Sequence, residues 1–333
     1  MSARLLVRLL ADPGSAASVG DWAPIVSAAR AERLLGNLAF RLEGQTVPGD
    51  VADLFATARR DAEAAQVQAL WEAEAARRAL APLGVPIVLL KGTAFAAARL
   101  DAGVGRSIGD LDILIPRAAL ADVERVILAA GWEWVKEDAY DDLYYRRWMH
   151  ELPPLIHRER DRMIDIHHTI LPLTARPTPD AEALVADSVL LPGGLRILSP
   201  EDMVVHAAAH LFADGDLAGG LRNLWDIDRL LRQFISANAG FWDRLKDRAD
   251  RHALHHAVAR AIRLTHHLYA TPVPARWRKL RGADRLFRRR MLARDGWGRS
   301  TRAPLRFAFY VRSHLMRMPP GLLARHLWTK ARR

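Results

Sequence analysis

Residues 86–116 read PIVLLKGTAFAAARLDAGVGRSIGDLDILIP, in which two apolar runs flank a segment rich in glycine and alanine. The apolar run from Ile87 to Leu90 is too short for a helix but has the length of a buried strand. The small and apolar residues 93–100 predict a short helix after it. A loop with three glycines then leads to a second apolar run that begins at Leu111. The stretch therefore predicts a strand, a helix, a glycine-rich loop and a second strand in succession.

Two carboxylates lie at the start of the second predicted strand. Because side chains alternate along a strand, Asp110 and Asp112 are expected to project from the same face. Their mutual repulsion is costly unless a positive charge lies between them, and hard oxygen ligands suit Mg²⁺. The alternative is a pair of solvated carboxylates at the end of a strand.

Lys91 and Gly92 stand where the first strand turns into the helix. The unpaired N–H groups of a helix N-terminus favour an anion such as phosphate. A lysine–glycine pair is commonplace on its own. The lysine–glycine pair here is followed by a glycine-rich loop and a D-x-D strand. This order favours the more specific interpretation, an anion site next to a metal site.

The order of these elements resembles the core of the polymerase-β-like nucleotidyltransferases, in which a glycine-containing helix N-terminus cradles a triphosphate and a D-x-D strand holds metal ions. More closely, the segments LLKGTA and GDLDILI, with Arg106 between them, resemble a bacterial family of uncharacterised nucleotidyltransferases. The resemblance covers residues 86–235. Lys91-Gly92 departs from the Gly-Ser or Gly-Gly that is usual in the wider superfamily.

A further aspartate lies downstream, in a predicted hairpin of Leu155 to His157 and Met163 to His167. Asp165 is in the middle of its strand, where an unpartnered carboxylate is costly to bury, and the alternative is an edge strand with Asp165 in solvent. His167 shares the face of Asp165 by the two-residue period of a strand. We expect His167 to orient a carboxylate, to contact phosphate or to be purely structural.

The resemblance implies an enzyme that uses Mg²⁺ or Mn²⁺ and takes an NTP, expected to be ATP, as substrate. In such enzymes a third carboxylate comes from a strand that follows the D-x-D strand, and the segment IDIHH resembles that position. The implied catalytic and metal-binding residues are Asp110, Asp112 and Asp165. The residues implied to bind the nucleotide are Lys91, Gly92, Thr93 and Arg106.

The rest of the chain is predicted to be mostly helical. The expected fold class is α+β, a small mixed β-sheet nucleotidyltransferase core flanked by N-terminal and C-terminal helical regions. A long helix opens at Pro48-Gly49-Asp50 and carries Trp71 in the core, while an alternating stretch at 142–148 indicates a further strand. The predicted units are an N-terminal helical region (1–84), the catalytic core (85–175), a helical C-terminal domain (176–270) and a basic helical tail (271–333).

Composition limits the classes of protein. Half of the 333 residues are hydrophobic and 26% are charged, which predicts a sizeable core. The chain has no cysteine, so disulfides and cysteine-ligated zinc are excluded. No segment approaches about 18 uninterrupted apolar residues, so we expect no transmembrane span. A cytoplasmic location is the corresponding expectation.

The net charge of +11 is concentrated at one end, because residues 271–333 contain 18 Lys and Arg against 2 Asp and Glu. Aromatic residues, including Trp297, Phe307 and Trp328, are interleaved with the arginines. Such a tail could contact nucleic acid or lie on an anionic membrane surface. The alternative is a solvated basic cap of helices.

A pair of histidines raises a different possibility. Ser199-Pro200 predicts a helix start, and the following helix carries His206 and His210 one turn apart. With Asp226 from the next predicted helix they could ligate zinc, although no glutamate follows the first histidine as in a metalloprotease. Packing in the core is the competing interpretation.

The sequence therefore predicts Mg²⁺-dependent transfer of a nucleoside monophosphate from an NTP to a hydroxyl acceptor, with release of pyrophosphate. The acceptor is left open among a small molecule, tRNA, a protein or a peptide. Two alternatives remain: a catalytically weak protein of the same fold that binds nucleotide or RNA, and a metal-dependent hydrolase built on His206, His210 and Asp226.

Overall fold

Helices make up most of the chain and surround one β-sheet. The computed structural model describes residues 2–136, 138–213, 215–317, 321 and 323. The helices are α1 (Ser2–Ala11), α2 (Ala23–Ala31), α3 (Leu35–Arg41), α4 (Gly49–Leu80), α5 (Lys91–Ala97), α6 (Leu120–Ala129), α7 (Ala139–Trp148), α8 (Ala181–Ala186), α9 (Pro200–Ala213), α10 (Gly220–Ala237), α11 (Phe241–Arg251), α12 (His255–Tyr269), α13 (Gly282–Met291) and α14 (Ala303–Arg317). The strands are β1 (Val88–Leu89), β2 (Leu111–Leu114), β3 (Trp132–Trp134), β4 (Leu155–His157), β5 (Met163–His167), β6 (Val189–Leu190) and β7 (Arg196–Ile197).

The sheet is mixed, with the strand order β3-β4-β5-β2-β1-β7-β6. Strand β2 pairs in parallel with β5 and antiparallel with β1, while β1 pairs in parallel with β7. The predicted hairpin of β4 and β5 is antiparallel. The fold class inferred from the sequence, a small mixed sheet between helical regions, is confirmed.

The centre of the sheet is apolar. Ile113 and Leu114 on β2, Val88 on β1 and Ile166 on β5 are each at most 1% exposed. Burial of such side chains contributes about 1.5 to 3 kcal/mol each. A slip of β2 by one residue against β5 would take Asp112 from its place beside Asp165 to the face that Ile113 occupies, so burial of Ile113 favours the observed register.

The N-terminal region is helical, as the sequence predicts, and α4 begins at Gly49. The face of α4 that meets the rest of the protein carries small residues, including Ala69, Ala73 and Ala76. Trp71 was expected in the core, but 55% of it is exposed and Arg160 lies over its ring. Trp71 is on the side of α4 away from the alanines, and the helical period places it there.

The alternating stretch at 142–148 is not a strand. It lies in helix α7, whose first N–H groups are capped by the side chain of Asp138, which accepts hydrogen bonds from the N–H groups of Tyr140 and Asp141. The cap favours a helix here, because it provides hydrogen-bond acceptors for N–H groups that are unpaired at a helix N-terminus.

The C-terminal half packs α9, α10, α11 and α12 together. Helix α9 begins at Pro200, and Ser199 Oγ accepts a hydrogen bond from the N–H of Asp202, as expected of a cap. Strands β6 and β7 extend the sheet beyond residue 175, where the predicted catalytic core ends. The proposed domain boundaries therefore cut through a continuous sheet.

The described part of the basic tail is folded onto this half. Phe287 of α13 makes edge-to-face ring contacts with Phe212 of α9 and Phe309 of α14. After α13, Arg294 forms an ion pair of 2.6 Å with the buried carboxylate of Glu32, which also accepts a hydrogen bond from the N–H of Leu221 in α10. Trp328 lies outside the described residues. In the described part of the chain no helix has the length and apolar character needed to cross a membrane.

Candidate active site

Three aspartates meet at the sheet. Carboxylate oxygens of Asp110, Asp112 and Asp165 all lie within 4.8 Å of one another. Asp110 is exposed just before β2, Asp112 is buried within it, and Asp165 is half-buried in β5. The structure thus brings together the three carboxylates that the sequence predicts to meet.

The register of two parallel strands produces this meeting. Asp112 of β2 stands directly beside Asp165 of β5. Their neighbours in each strand, among them Ile113 and Ile166, point to the opposite face and are buried in the core. Because strand side chains alternate, burial of the isoleucines leaves both aspartates on one face.

Lys91 supplies a positive charge to this face. Its Nζ donates a hydrogen bond of 2.5 Å to Oδ1 of Asp112. Burial works against the charge on Lys91, but Asp112, Asp110 and Asp165 outweigh it and raise the pKa of the ammonium group. Lys91 has a φ of 49°, in the left-handed region that non-glycine residues rarely adopt. Backbone strain of this kind is concentrated at functional sites.

His167 holds Asp112 from the other side. Its Nε2 lies 3.0 Å from Oδ1 of Asp112, and its Nδ1 lies 3.2 Å from Oε2 of Glu151. Of the roles considered for His167, orientation of a carboxylate fits this geometry, although the carboxylate is that of Asp112 and not that of Asp165. Glu151 was not predicted as a site residue, because it lies in the loop before β4, where no periodic pattern marks it.

The two central aspartates have different electrostatic environments. Burial opposes ionisation of Asp112, but Lys91 and His167 hold its pKa well below the usual range. Burial, the charge of Asp112 and the charge of Glu151 raise the pKa of Asp165 to about 7. Asp112 therefore favours the ionised form, whereas the pKa of Asp165 is close to neutral pH. Such separation is typical of acid–base sites.

Gly92 and Arg106 are in direct contact. A Cβ atom at position 92 would lie 1.9 Å from Nη1 of Arg106. The Nε atom of Arg106 donates a hydrogen bond of 2.9 Å to Asp226, and both side chains are buried. Thr93 is also buried, and its Oγ1 has no hydrogen-bond partner among the described residues. The predicted nucleotide-binding residues thus cluster around the start of α5.

Arg222 belongs to the same region and was not predicted. It lies one helical turn before Asp226 on α10, and its Nε is buried without a hydrogen-bond partner among the described residues. Burial and the charges of Arg106 and Arg33 lower its pKa to about 10, while Asp226 and Asp110 act in the opposite direction. Arg222 is therefore within electrostatic reach of the exposed aspartate of the site. A single arginine on an amphipathic helix carries no distinguishing sequence pattern.

The alternative zinc site does not form. Within the part of the chain that the structure describes, His206, His210 and Asp226 are not among the clusters with metal-ligand spacing. Asp226 is instead paired with Arg106. Burial, followed by the charges of Lys91 and His167, lowers the pKa of His206 to about 3. Burial also lowers the pKa of His210, which is half-buried, so both histidines of this motif favour the neutral form.

Comparison with known proteins gives three findings. A model of a family described as uncharacterised nucleotidyltransferase matches residues 18–270. No curated protein matches the sequence. The solution structure of the antibiotic-resistance factor ANT(2'')-Ia aligns with a TM-score of 0.38 and 14% identity, over 57% of this chain and 97% of that one. The crystal structure of JHP933 from Helicobacter pylori aligns with a TM-score of 0.32 and 13% identity, over 80% and 98% of the two chains.

Proposed function

We propose, from the premise that the chain belongs to the uncharacterised nucleotidyltransferase family, that it transfers a nucleoside monophosphate from an NTP to a hydroxyl acceptor and releases pyrophosphate. The observation that carries this proposal is the meeting of Asp110, Asp112 and Asp165 within 4.8 Å, beside Lys91. Family membership establishes a nucleotidyltransferase, while the metal, the nucleotide and the acceptor belong to the proposal.

The donor set fits a divalent cation. Three carboxylates offer hard oxygen ligands at close range, which suits Mg²⁺ or Mn²⁺. Burial, followed by the charges of Asp112 and Glu151, raises the pKa of Asp165, and a cation bound beside it would favour its ionised form. When bound, the cation stabilises the charge that develops on the attacking and leaving oxygens at the α-phosphate. Asp110, Asp112 and Asp165 are the residues that would hold it.

The side chains of the site have separate roles in proton transfer and charge balance. Asp165 accepts the proton of the acceptor hydroxyl, because its carboxylate lies at the cation site where that hydroxyl would be activated. The hydroxyl oxygen forms a bond to the α-phosphorus, and the bond from phosphorus to the bridging oxygen breaks with its electron pair on pyrophosphate. Lys91 and Arg106 balance the charge of the departing pyrophosphate.

Two further residues support the nucleotide site. Thr93 offers a buried hydroxyl without a partner among the described residues, and the N–H groups at Gly92 open helix α5. Arg222 adds a second guanidinium near Asp110. ATP is the nucleotide we propose. A small molecule, tRNA, a protein or a peptide would each serve as the hydroxyl acceptor.

The test is incubation with each α-labelled NTP and Mg²⁺ or Mn²⁺ in extract of the source cells, followed by separation of small-molecule, protein and RNA fractions. We expect one fraction to acquire label, with release of pyrophosphate, and EDTA to abolish both. Asp110→Asn is the cleanest variant because Asp110 is exposed, and we expect it to lose transfer while it unfolds at the wild-type temperature. Asp247→Asn, a surface change of equal charge, is the control and retains activity.

Undiminished transfer by both Asp110→Asn and Asp112→Asn would contradict the assignment of the site. Nucleotide binding without transfer under either divalent ion would favour the alternative of a catalytically weak nucleotide-binding protein.

A further inference from the structure

A concave site lined by arginines lies between α1, α13 and the segment that joins α13 to α14. Its volume is about 570 Å³, and no aspartate or glutamate lines it. We call it the arginine pocket. Its charged lining consists of Arg4, Arg285, Arg288, Arg289, Arg294 and Arg302.

Most of these guanidinium groups have no partner. Arg294 is paired with Glu32. The other five side chains form no hydrogen bond or ion pair with residues in the described ranges, and four of them are exposed. Helix α13 presents Arg285 and Arg289 one turn apart on the same face.

This arrangement costs free energy in the absence of an anion. Like charges that share a concave surface repel one another, and a low-dielectric wall focuses their field. Guanidinium groups match phosphate oxygens through paired N–H donors. A ligand that carries several phosphates would relieve the repulsion at several arginines at once.

The shape of the pocket and the exposed aromatic residues that are close to its arginines in sequence favour one class of phosphate-bearing partner. A concave site admits a flexible chain more readily than a flat bilayer surface. Trp297, which is 77% exposed, lies in the turn between Arg294 and Arg302, and Phe307 follows in the first turns of α14 with 65% exposure. Proteins that bind single-stranded nucleic acid combine a positive groove for the backbone with aromatic side chains on which bases stack.

We propose that the arginine pocket is a binding site for single-stranded nucleic acid, with the phosphodiester backbone on the arginines and a base on Trp297. The site belongs to α1, α13 and the segment after α13, so it stands apart from the aspartates of the sheet. The proposal therefore does not depend on the transfer reaction.

The test measures fluorescence anisotropy of a labelled RNA of about 12 nucleotides with the full chain, over a range of salt concentrations. The pocket variant is Arg285→Ala with Arg289→Ala. The control variant is Arg60→Ala with Arg158→Ala, which removes the same charge from exposed arginines elsewhere. We expect the pocket variant to bind at least about tenfold more weakly, with a salt slope smaller by about 1.4. Trp297→Ala is expected to weaken binding by about tenfold without changing the salt slope.

Thermal unfolding shows whether each variant folds. The four substituted arginines are exposed, so we expect their replacement to change the unfolding temperature little. Equal RNA affinity in the pocket and control variants would overturn the proposal. So would binding of vesicles that contain phosphatidylglycerol without binding of RNA, binding of inorganic triphosphate alone, or no binding of any of the three at low salt.

Discussion

Gly92 and Arg106 occupy adjoining space in which a single methyl group would not fit, since a Cβ at position 92 would lie 1.9 Å from Nη1 and 2.9 Å from Cζ of Arg106. Arg106 is held in place, because its Nε donates a hydrogen bond to the buried Asp226. The glycine that sequence reasoning assigns to the phosphates is thus also required by the packing of an arginine from the following loop.

We expect Gly92→Ala to lower the free energy of unfolding by about 3 kcal/mol, because it separates a buried ion pair. Denaturant unfolding measures the change. Gly49→Ala is the matched control, since nothing lies within 4 Å of a Cβ at that helix position. The control is expected to change stability by less than about 1 kcal/mol. Equal stability of the two variants would show that Arg106 adapts without cost.

Lys91 and a divalent cation are expected to compete for the same carboxylates. Lys91→Met removes the charge that neutralises Asp112 and keeps the volume of the side chain, so we expect a loss of about 3 kcal/mol without divalent ions. If the aspartates hold Mg²⁺, millimolar Mg²⁺ should raise the unfolding temperature of this variant more than that of the wild type. Lys246→Met, on the surface, serves as the control. A variant that gains no more from Mg²⁺ than the wild type would argue against a cation site at Asp112.

Glu151 is expected to act through His167. Glu151→Gln removes the charge beside His167 Nδ1 and loosens the imidazole that orients Asp112. Partners of this kind typically contribute about tenfold or more to activity, so we expect kcat to fall by about tenfold. The KM for the NTP should stay unchanged, because Glu151 is not placed to contact the nucleotide. Glu159→Gln, a substitution at an exposed position, is the control. An equal fall in kcat in the control would contradict a specific role of Glu151.

Buried neutral histidines should make the protein sensitive to acid. Burial and the charge of Arg117 lower the pKa of His168 to about 4, and burial, Lys91 and His167 lower that of His206 to about 3. Both groups titrate near 6.5 when unfolded, so between pH 6.5 and 4 the unfolded state binds more protons. Each histidine should therefore lower the free energy of unfolding by about 1.4 kcal/mol per pH unit as the pH falls, whereas Asp165, with a pKa raised to about 7, acts in the opposite direction.

Denaturant unfolding at several pH values measures this slope. His206→Gln should make the slope smaller by about the contribution of one histidine. His255→Gln, an exposed change, should leave it unaltered. A slope unaffected by His206→Gln would show that His206 is protonated in the folded protein.

Local patterns predicted the parts of the fold and site that depend on periodicity. The alternation around Asp110 and Asp112 and the apolar neighbours of Asp165 predicted these carboxylates on or next to strands, and the parallel pairing of β2 and β5 then set Asp112 and Asp165 side by side. The pairing of β2 with β5 is a tertiary contact, and it was expected from the resemblance to a family and not from the residues alone. The roles of these residues stay predictions.

Other parts had no local signal. Glu151 is in a loop and Arg222 is on a helix rich in arginine, so only tertiary structure brings either to the site. The stretch at 142–148 was wrongly predicted as a strand because alternation over a few residues also fits a helix, and the capping side chain of Asp138 decided between them. Strands β6 and β7 have two residues each, too few to show a period.

The contacts of Glu32 have a consequence for experiments that shorten the chain. One carboxylate joins Arg294, beyond the family match, to the first turn of α10, the helix that carries Arg222 and Asp226. Burial raises the pKa of Glu32 against the opposing effect of Arg294, so a protein cut before residue 294 would lose the nearest charge that opposes this rise. The end of the chain is thus part of the support for the catalytic half. A truncated enzyme with low activity would report the loss of that support as well as the loss of any ligand bound by the tail.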